Sequence, residues 1–238
     1  EIDLSKLFDT MDELGIERTV SVVQETRRIW KNWTGTNDLI VDLHEKYPHR
    51  FIGIFVAEPM DERNVYNRHR LQEFRTAVRD RGIRGLWFGP PYGHYCGNDK
   101  TTYPFYEVAV EFDAVVYYHH GGGIGGAGGR PSSAPMKYAQ PLLLDDVVID
   151  FPGLRINIEH MAYLWTEETC ALMERAENVY ADVSELTDDS RALARDILDK
   201  AGVAVTPGLD FDPVRGHHWL RFSYARSTAD IEEGLSRL

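Results

Sequence analysis

The chain has 238 residues, 43% apolar and 11% aromatic, enough for one sizeable core or a barrel-sized domain, so disorder is excluded as the default. A formal charge of -12, spread along the chain instead of gathered in a tail, excludes a nucleic-acid groove or an anionic membrane surface as partner and reads as a solvated acidic surface. Cys96 and Cys170 are the only two cysteines and lack C-x-x-C spacing, so neither a disulfide framework nor a structural zinc is expected, and a reducing cytoplasm fits. No apolar run reaches the roughly 18 residues of a membrane span, the first residues are unlike a signal peptide, and the lack of a starting Met suggests a processed or truncated product.

In chain order, Leu4, Leu7, Phe8, Met11 and Leu14 fall on one helical face, with Gly15 as a stop. Thr19 to Val23 reads as a short strand. A helix through Leu39, Ile40 and Leu43 must finish before Pro48, and Phe51 to Ala57 is a strand of continuous apolar character. Leu71, Phe74 and Val78 mark a helix closed by Gly82; Ile83 to Phe88 is a strand ending at Gly89-Pro90-Pro91; Tyr106 to Phe112 is a helix. Val115 to Tyr118 reads as a strand buried on both faces, which stops at His119-His120 and dissolves into glycine.

The alternation then resumes. Leu142 to Asp150, Glu167 to Ala176 and Asp188 to Lys200 read as helices, and Leu154 to Glu159, Val179 to Val183 and Val203 to Thr206 as strands. Strand starts at Thr19, Phe51, Ile83 and Val115 recur at the length of one βα unit, so seven parallel strands are expected. The predicted fold is α/β, an incomplete (β/α)8 TIM-type barrel lacking a unit, with an open doubly wound sheet as the alternative.

Both architectures place function at the C-terminal ends of the strands, where Gln24, Glu58, Gly89, His119, His120, Glu159, His160, Ser184 and Asp210 stand. His119 and His160 end consecutive strands. If those strands are neighbours, their ends lie roughly 5 Å apart, within reach of one divalent cation, and Asp210 would add a carboxylate. Two histidines and a carboxylate with an open position suit hydrolysis, because a metal acidifies bound water and polarises a carbonyl or carboxylate. The same residues equally serve as hydrogen-bonding strand ends, and spacing alone leaves both readings open. Gly121 to Gly129 lacks a P-loop or dinucleotide pattern and reads as a mobile active-site loop. His217-His218-Trp219 reads as a surface turn, and Ile231, Leu235 and Leu238 as the buried face of a last helix.

Five runs, in this order and spacing, carry a resemblance: His44 to Gly53 (HEKYPHRFIG), Gly82 to Leu86 (GIRGL), Tyr117 to Gly121 (YYHHG), Asp150 to His160 (DFPGLRINIEH) and Asn178 to Ser184 (NVYADVS). Together they resemble the amidohydrolase-related family of metal-dependent hydrolases and decarboxylases, over about residues 3–184. The resemblance implies a (β/α)8 barrel with zinc or manganese, in which His119 and His160 match the two mid-barrel metal histidines and His120 orients substrate or the neighbouring loop. It also implies a His-x-His pair ending a first strand, and no such pair stands in this sequence. Gly208-Leu209-Asp210-Phe211 resembles the string that ends the family's last strand, which would make Asp210 a metal-binding, proton-transferring aspartate.

Residues from about 186 to 238 look different. Leu186 to Leu193, Gly202 to Phe211 and Arg221 to Ala225 resemble the end of the small domain of class I aminotransferases, which use pyridoxal phosphate. Under that resemblance Arg221 matches the arginine that holds the substrate α-carboxylate, a role suited to a fork of paired donors. The expected organisation is therefore a barrel over 1–184 and a C-terminal segment over 185–238 packed on it or completing it. The leading function is metal-dependent hydrolysis or decarboxylation of a small carboxylate-bearing molecule. The alternatives are a fragment of a pyridoxal-phosphate aminotransferase, and a non-catalytic barrel that forms a homo-oligomer through its open edge.

Overall fold

A helix after each strand returns the chain to the starting edge, and this connection makes neighbouring strands parallel. The computed structural model describes residues 4–23, 35–120 and 134–182, and beyond them 195, 197–200, 206–207, 220–221, 233 and 237. The chain divides into two compact units, Glu1–Asp182 and Val183–Leu238.

In the first unit the elements run α1 (Ser5–Glu13), β1 (Thr19–Ser21), α2 (Asn37–Lys46), β2 (Phe51–Val56), α3 (Arg68–Asp80), β3 (Gly85–Phe88), α4 (Pro90–Gly93), α5 (Tyr103–Glu111) and β4 (Val115–His119). They continue with α6 (Asp145–Asp150), β5 (Ile156–Glu159), α7 (Thr166–Arg175) and β6 (Val179–Ala181). The six strands form one sheet in the order β1-β2-β3-β4-β5-β6, every pair parallel. An order with no reversal is that of a barrel and excludes the doubly wound alternative, which needs a switch point. The sheet is a curled part of a TIM-type barrel.

Two clusters line its two faces. Toward the helices, Phe55, Leu86, Phe88, Val116, Tyr118, Ile156 and Ile158 pack with Phe74, Phe105 and Tyr106. On the opposite face, Ile54, Val56 and Trp87 pack with Tyr92, and Tyr117 rests against them. Local signals set the helix ends: the Thr36 hydroxyl accepts from Leu39 N–H at the start of α2, and Gly82 takes φ +71° just past α3, a conformation costly for a residue with a Cβ.

Several expectations are corrected. The strand from Val115 is not buried on both faces: Val116 and Tyr118 are buried, but Val115 and Tyr117 are only partly so, because their side chains point to the concave side. Of Leu4, Leu7, Phe8, Met11 and Leu14, expected on one helical face, Met11 alone is buried, and Leu7 and Leu14 are 42% and 62% exposed. The strand does end before Gly89-Pro90-Pro91, as expected, and Pro90 opens the short helix α4, where its fixed φ is already helical. The expected seventh parallel strand is β7 (Thr206–Pro207), which pairs antiparallel with β8 (Leu220–Arg221) in a separate two-stranded sheet. Residues 197–200 are helical, as expected for that segment, whereas 188–194 and 203–205 lie outside the described residues. So do the glycine-rich 121–129, the turn at 217–219, and Ile231, Leu235 and Leu238. Among the described residues no helix is long and apolar enough to cross a membrane.

Asn37 ties α2 to the top of β2. Its Nδ2–H donates to the Val56 carbonyl at 2.9 Å and its Oδ1 accepts from Val56 N–H at 2.8 Å, in a site only 4% exposed. Asn37→Ala leaves both backbone groups unpaired in the core, and the expected loss is about 2–4 kcal/mol, read from a urea denaturation curve.

Candidate metal centre

Parallel pairing places Val116 beside Ile156 and, three residues on, His119 beside Glu159. The pleat turns Ile156 and Ile158 toward the helices, so Asn157 and Glu159 face the concave side, the side on which Trp87 lies. Immediately past β5 the backbone is left-handed at His160 (φ 114°), Met161 (φ 34°), Ala162 (φ 44°) and Leu164 (φ 83°). Non-glycine residues hold such conformations only where their surroundings over-determine them, and this turn brings the His160 ring over the end of β4.

Three donor atoms converge there. His119 Nδ1 lies 3.1 Å from Glu159 Oε2 and 3.1 Å from His160 Nε2, and His160 Nε2 lies 3.5 Å from Glu159 Oε2. Two imidazole lone-pair positions and a carboxylate oxygen cannot share one point without a positive centre, either a proton or a cation. The 3.1 Å contacts are hydrogen-bond lengths, and the spacing also suits a cation, because donors about 2.0–2.1 Å from a tetrahedral ion stand roughly 3.3 Å apart. All three side chains are largely shielded, at 9%, 16% and 16% exposure.

Each donor has a further partner. The Trp87 indole N–H donates to both oxygens of Glu159, at 3.0 and 3.1 Å. The Tyr92 hydroxyl lies 2.9 Å from His119 Nε2, and the two rings stack with centroids 4.8 Å apart. His160 Nδ1 lies 3.6 Å from Asp182 Oδ1, and the other oxygen of that carboxylate accepts from Asn157 Nδ2–H at 2.9 Å.

Of the expected site residues, the structure brings His119 and His160 together. Glu159, noted in the sequence only as a strand end, joins them in the cluster. A carboxylate alternating with isoleucine in Ile156-Asn157-Ile158-Glu159 was the available signal. Trp87, Tyr92 and Asp182 carry no such signal, because their roles exist only through contacts across strands. His120 is 1% exposed, its ring packs at 5.2 Å from that of Tyr118, and it has no hydrogen bond to a described residue. Burial first, then the neighbouring His119, push its pKa down to about 3, so the ring is neutral at ordinary pH. Asp210, Gln24 and Ser184 lie outside the described residues, as does the Arg221 side chain.

An open groove of about 470 Å³ lies between α2 and α3. Of its lining residues, Arg70 and His69 pair with Glu73, and Arg81 pairs with Asp42 and Glu45 outside it, so it offers no comparable convergence.

A curled parallel sheet in strand order with its polar cluster at the C-terminal strand ends is the architecture of a (β/α)-barrel enzyme site. The amidohydrolase family model matches residues 6–215, and the chain belongs to that family. Among solved structures, a TIM-barrel protein from Bordetella bronchiseptica is similar with a TM-score of 0.61 and 23% identity, over 76% of this chain and 59% of that one. The 5-carboxyvanillate decarboxylase of Sphingomonas paucimobilis is similar with a TM-score of 0.58 and 17% identity, over 83% of this chain and 69% of that one. The valine–pyruvate aminotransferase of Mycobacterium tuberculosis is 50% identical over 60 residues, which are 25% of this chain and 16% of that protein. The chain thus spans a small part of the aminotransferase it matches and 59% of the Bordetella protein.

Proposed function

We propose that His119, Glu159 and His160 hold a divalent cation, zinc or manganese, and that the chain carries out metal-dependent hydrolysis or decarboxylation of a small carboxylate-bearing molecule. The convergence of three donor atoms at 3.1, 3.1 and 3.5 Å carries this reading. A cation held there acidifies a water and polarises a carbonyl or carboxylate. The two imidazoles and the Glu159 carboxylate supply its ligands, and their shielded setting excludes bulk water from that side. Asp210 is the proposed further carboxylate and proton carrier, and His120 and Arg221 are the proposed substrate-side residues. The decarboxylase named above supports the decarboxylation branch, and a cytoplasmic homo-oligomer is the proposed setting.

The experiment is metal analysis of the purified full chain. Near-stoichiometric zinc or manganese that falls away in His119→Ala and His160→Ala is the expected result. Sub-stoichiometric metal, unchanged by both substitutions, sinks the reading. The 50% identity to an aminotransferase favours one second reading, a fragment that needs a partner to complete a pyridoxal phosphate site. Pyridoxal phosphate absorbance that stays with the chain through gel filtration would support it.

A further inference from the structure

Trp87 is the residue before last in β3, and Tyr92 sits in the short helix α4 that follows. Their rings stack nearly parallel, 6.0 Å between centroids at 18°, and both lean on His119, at 5.9 Å from Trp87 and 4.8 Å from Tyr92. Both are buried, at 1% and 4% exposure. A buried indole N–H must find an acceptor, and that of Trp87 finds both oxygens of Glu159. The Tyr92 hydroxyl meets His119 at Nε2, the ring nitrogen opposite the one in the cluster. A hydroxyl both donates and accepts, so it serves His119 in either neutral tautomer while keeping Nδ1 turned inward.

We infer that Trp87 and Tyr92 are positioning residues, outer clamps that fix Glu159 and His119 in the orientation needed to ligate a cation. Gly89 is the spacer that lets the clamps meet. A Cβ on Gly89 would stand 2.5 Å from Trp87 Cη2 and 2.7 Å from Tyr92 Cδ2, far inside contact distance, so only glycine permits the stack. The inference rests on the cation reading above and deepens it. Groups that orient metal ligands from outside are worth about 10–100-fold in metal affinity. Without the indole N–H the Glu159 carboxylate is free to rotate, and without the hydroxyl the His119 ring is free to present either nitrogen.

The test is a zinc competition titration on the full chain against a chromophoric chelator, with wild type, Trp87→Phe, Tyr92→Phe and Gly89→Ala, and His119→Ala as the reference for a lost ligand. Each phenylalanine variant keeps a ring and loses one polar group, and each is expected to bind zinc about 10–100-fold more weakly than wild type. Gly89→Ala keeps both polar groups and is expected to weaken binding by wedging the rings apart. No zinc bound by wild type overturns the cation reading. Zinc bound by wild type and lost in His119→Ala, but bound with equal affinity by both phenylalanine variants, overturns the clamp alone. A purely structural role is separated by a spectroscopic signature in the wild type. The Trp87 indole ¹H–¹⁵N peak, identified by its absence from Trp87→Phe, is expected to move with the midpoint of zinc binding. A peak that stays fixed through the titration overturns the inference. If Trp87→Phe does not fold, Tyr92→Phe carries the affinity test.

Discussion

Glu159→Gln is expected to weaken zinc binding beyond the roughly 100-fold that loss of an outer partner costs, with little harm to the ion-free fold. The substitution keeps the shape and leaves an amide oxygen to accept from the Trp87 N–H. It removes the one negative charge among the three converging donors, and a neutral amide is a poor ligand for a divalent ion. Glu159 is only 16% exposed, so its carboxylate bears a desolvation cost that glutamine does not. The expected pattern is therefore lost affinity in a zinc titration and an unchanged or raised unfolding midpoint without metal. Affinity equal to wild type would remove Glu159 from the donor set and leave Asp210 as the candidate carboxylate.

Phe88→Ala is expected to have the largest effect on stability. The Phe88 ring is fully buried and lies 5.6–5.9 Å from those of Tyr95, Phe105, Tyr106 and Tyr118. Truncating a buried phenylalanine costs about 3–5 kcal/mol, and the four ring neighbours it loses favour the upper end. That is a large fraction of the roughly 5–15 kcal/mol by which a domain is stable. The urea midpoint should fall by roughly 1–2 M, if the slope is about 2–3 kcal/mol per M. Val110→Ala, on the exposed side of α5 at 43% exposure, should stay within about 0.5 kcal/mol of wild type. Equal losses in the two variants would mean that the core is not centred on Phe88.

The alternation of strand and helix was legible because each strand is short and punctuated. Thr19 and Phe51, which open successive apolar runs in the sequence, are direct partners in the sheet. Parallel pairing then made His119 and His160 neighbours, so two of the three donors followed from order alone. The third and its indole partner did not. Trp87 and Glu159 are 72 residues apart, and only the curl of the sheet brings the indole to the carboxylate. The direction of the seventh strand was equally hidden, because Thr206 and Pro207 show no period and their partner, Leu220–Arg221, lies beyond a stretch with no strand signal. The left-handed turn at His160 was illegible for a different reason. Of its residues only histidine is enriched at positive φ, and methionine, alanine and leucine are not, so the conformation is imposed by packing and not by local preference.

In the ladder running from β1 to β6, each of the four middle strands is bonded on both sides within the described residues, while β1 and β6 are bonded on one. Amide protons sort accordingly in deuterated water. Those of the two rims are expected to exchange through small local openings, and those of β2, β3, β4 and β5 to wait for events that disrupt most of the unit. His119 and Glu159 close the third and fourth strands of that slow group. The rims can fray on short timescales while His119 and Glu159 stay in register, and His160, held in the turn beside Asp182 past β6, is the donor most exposed to that fraying.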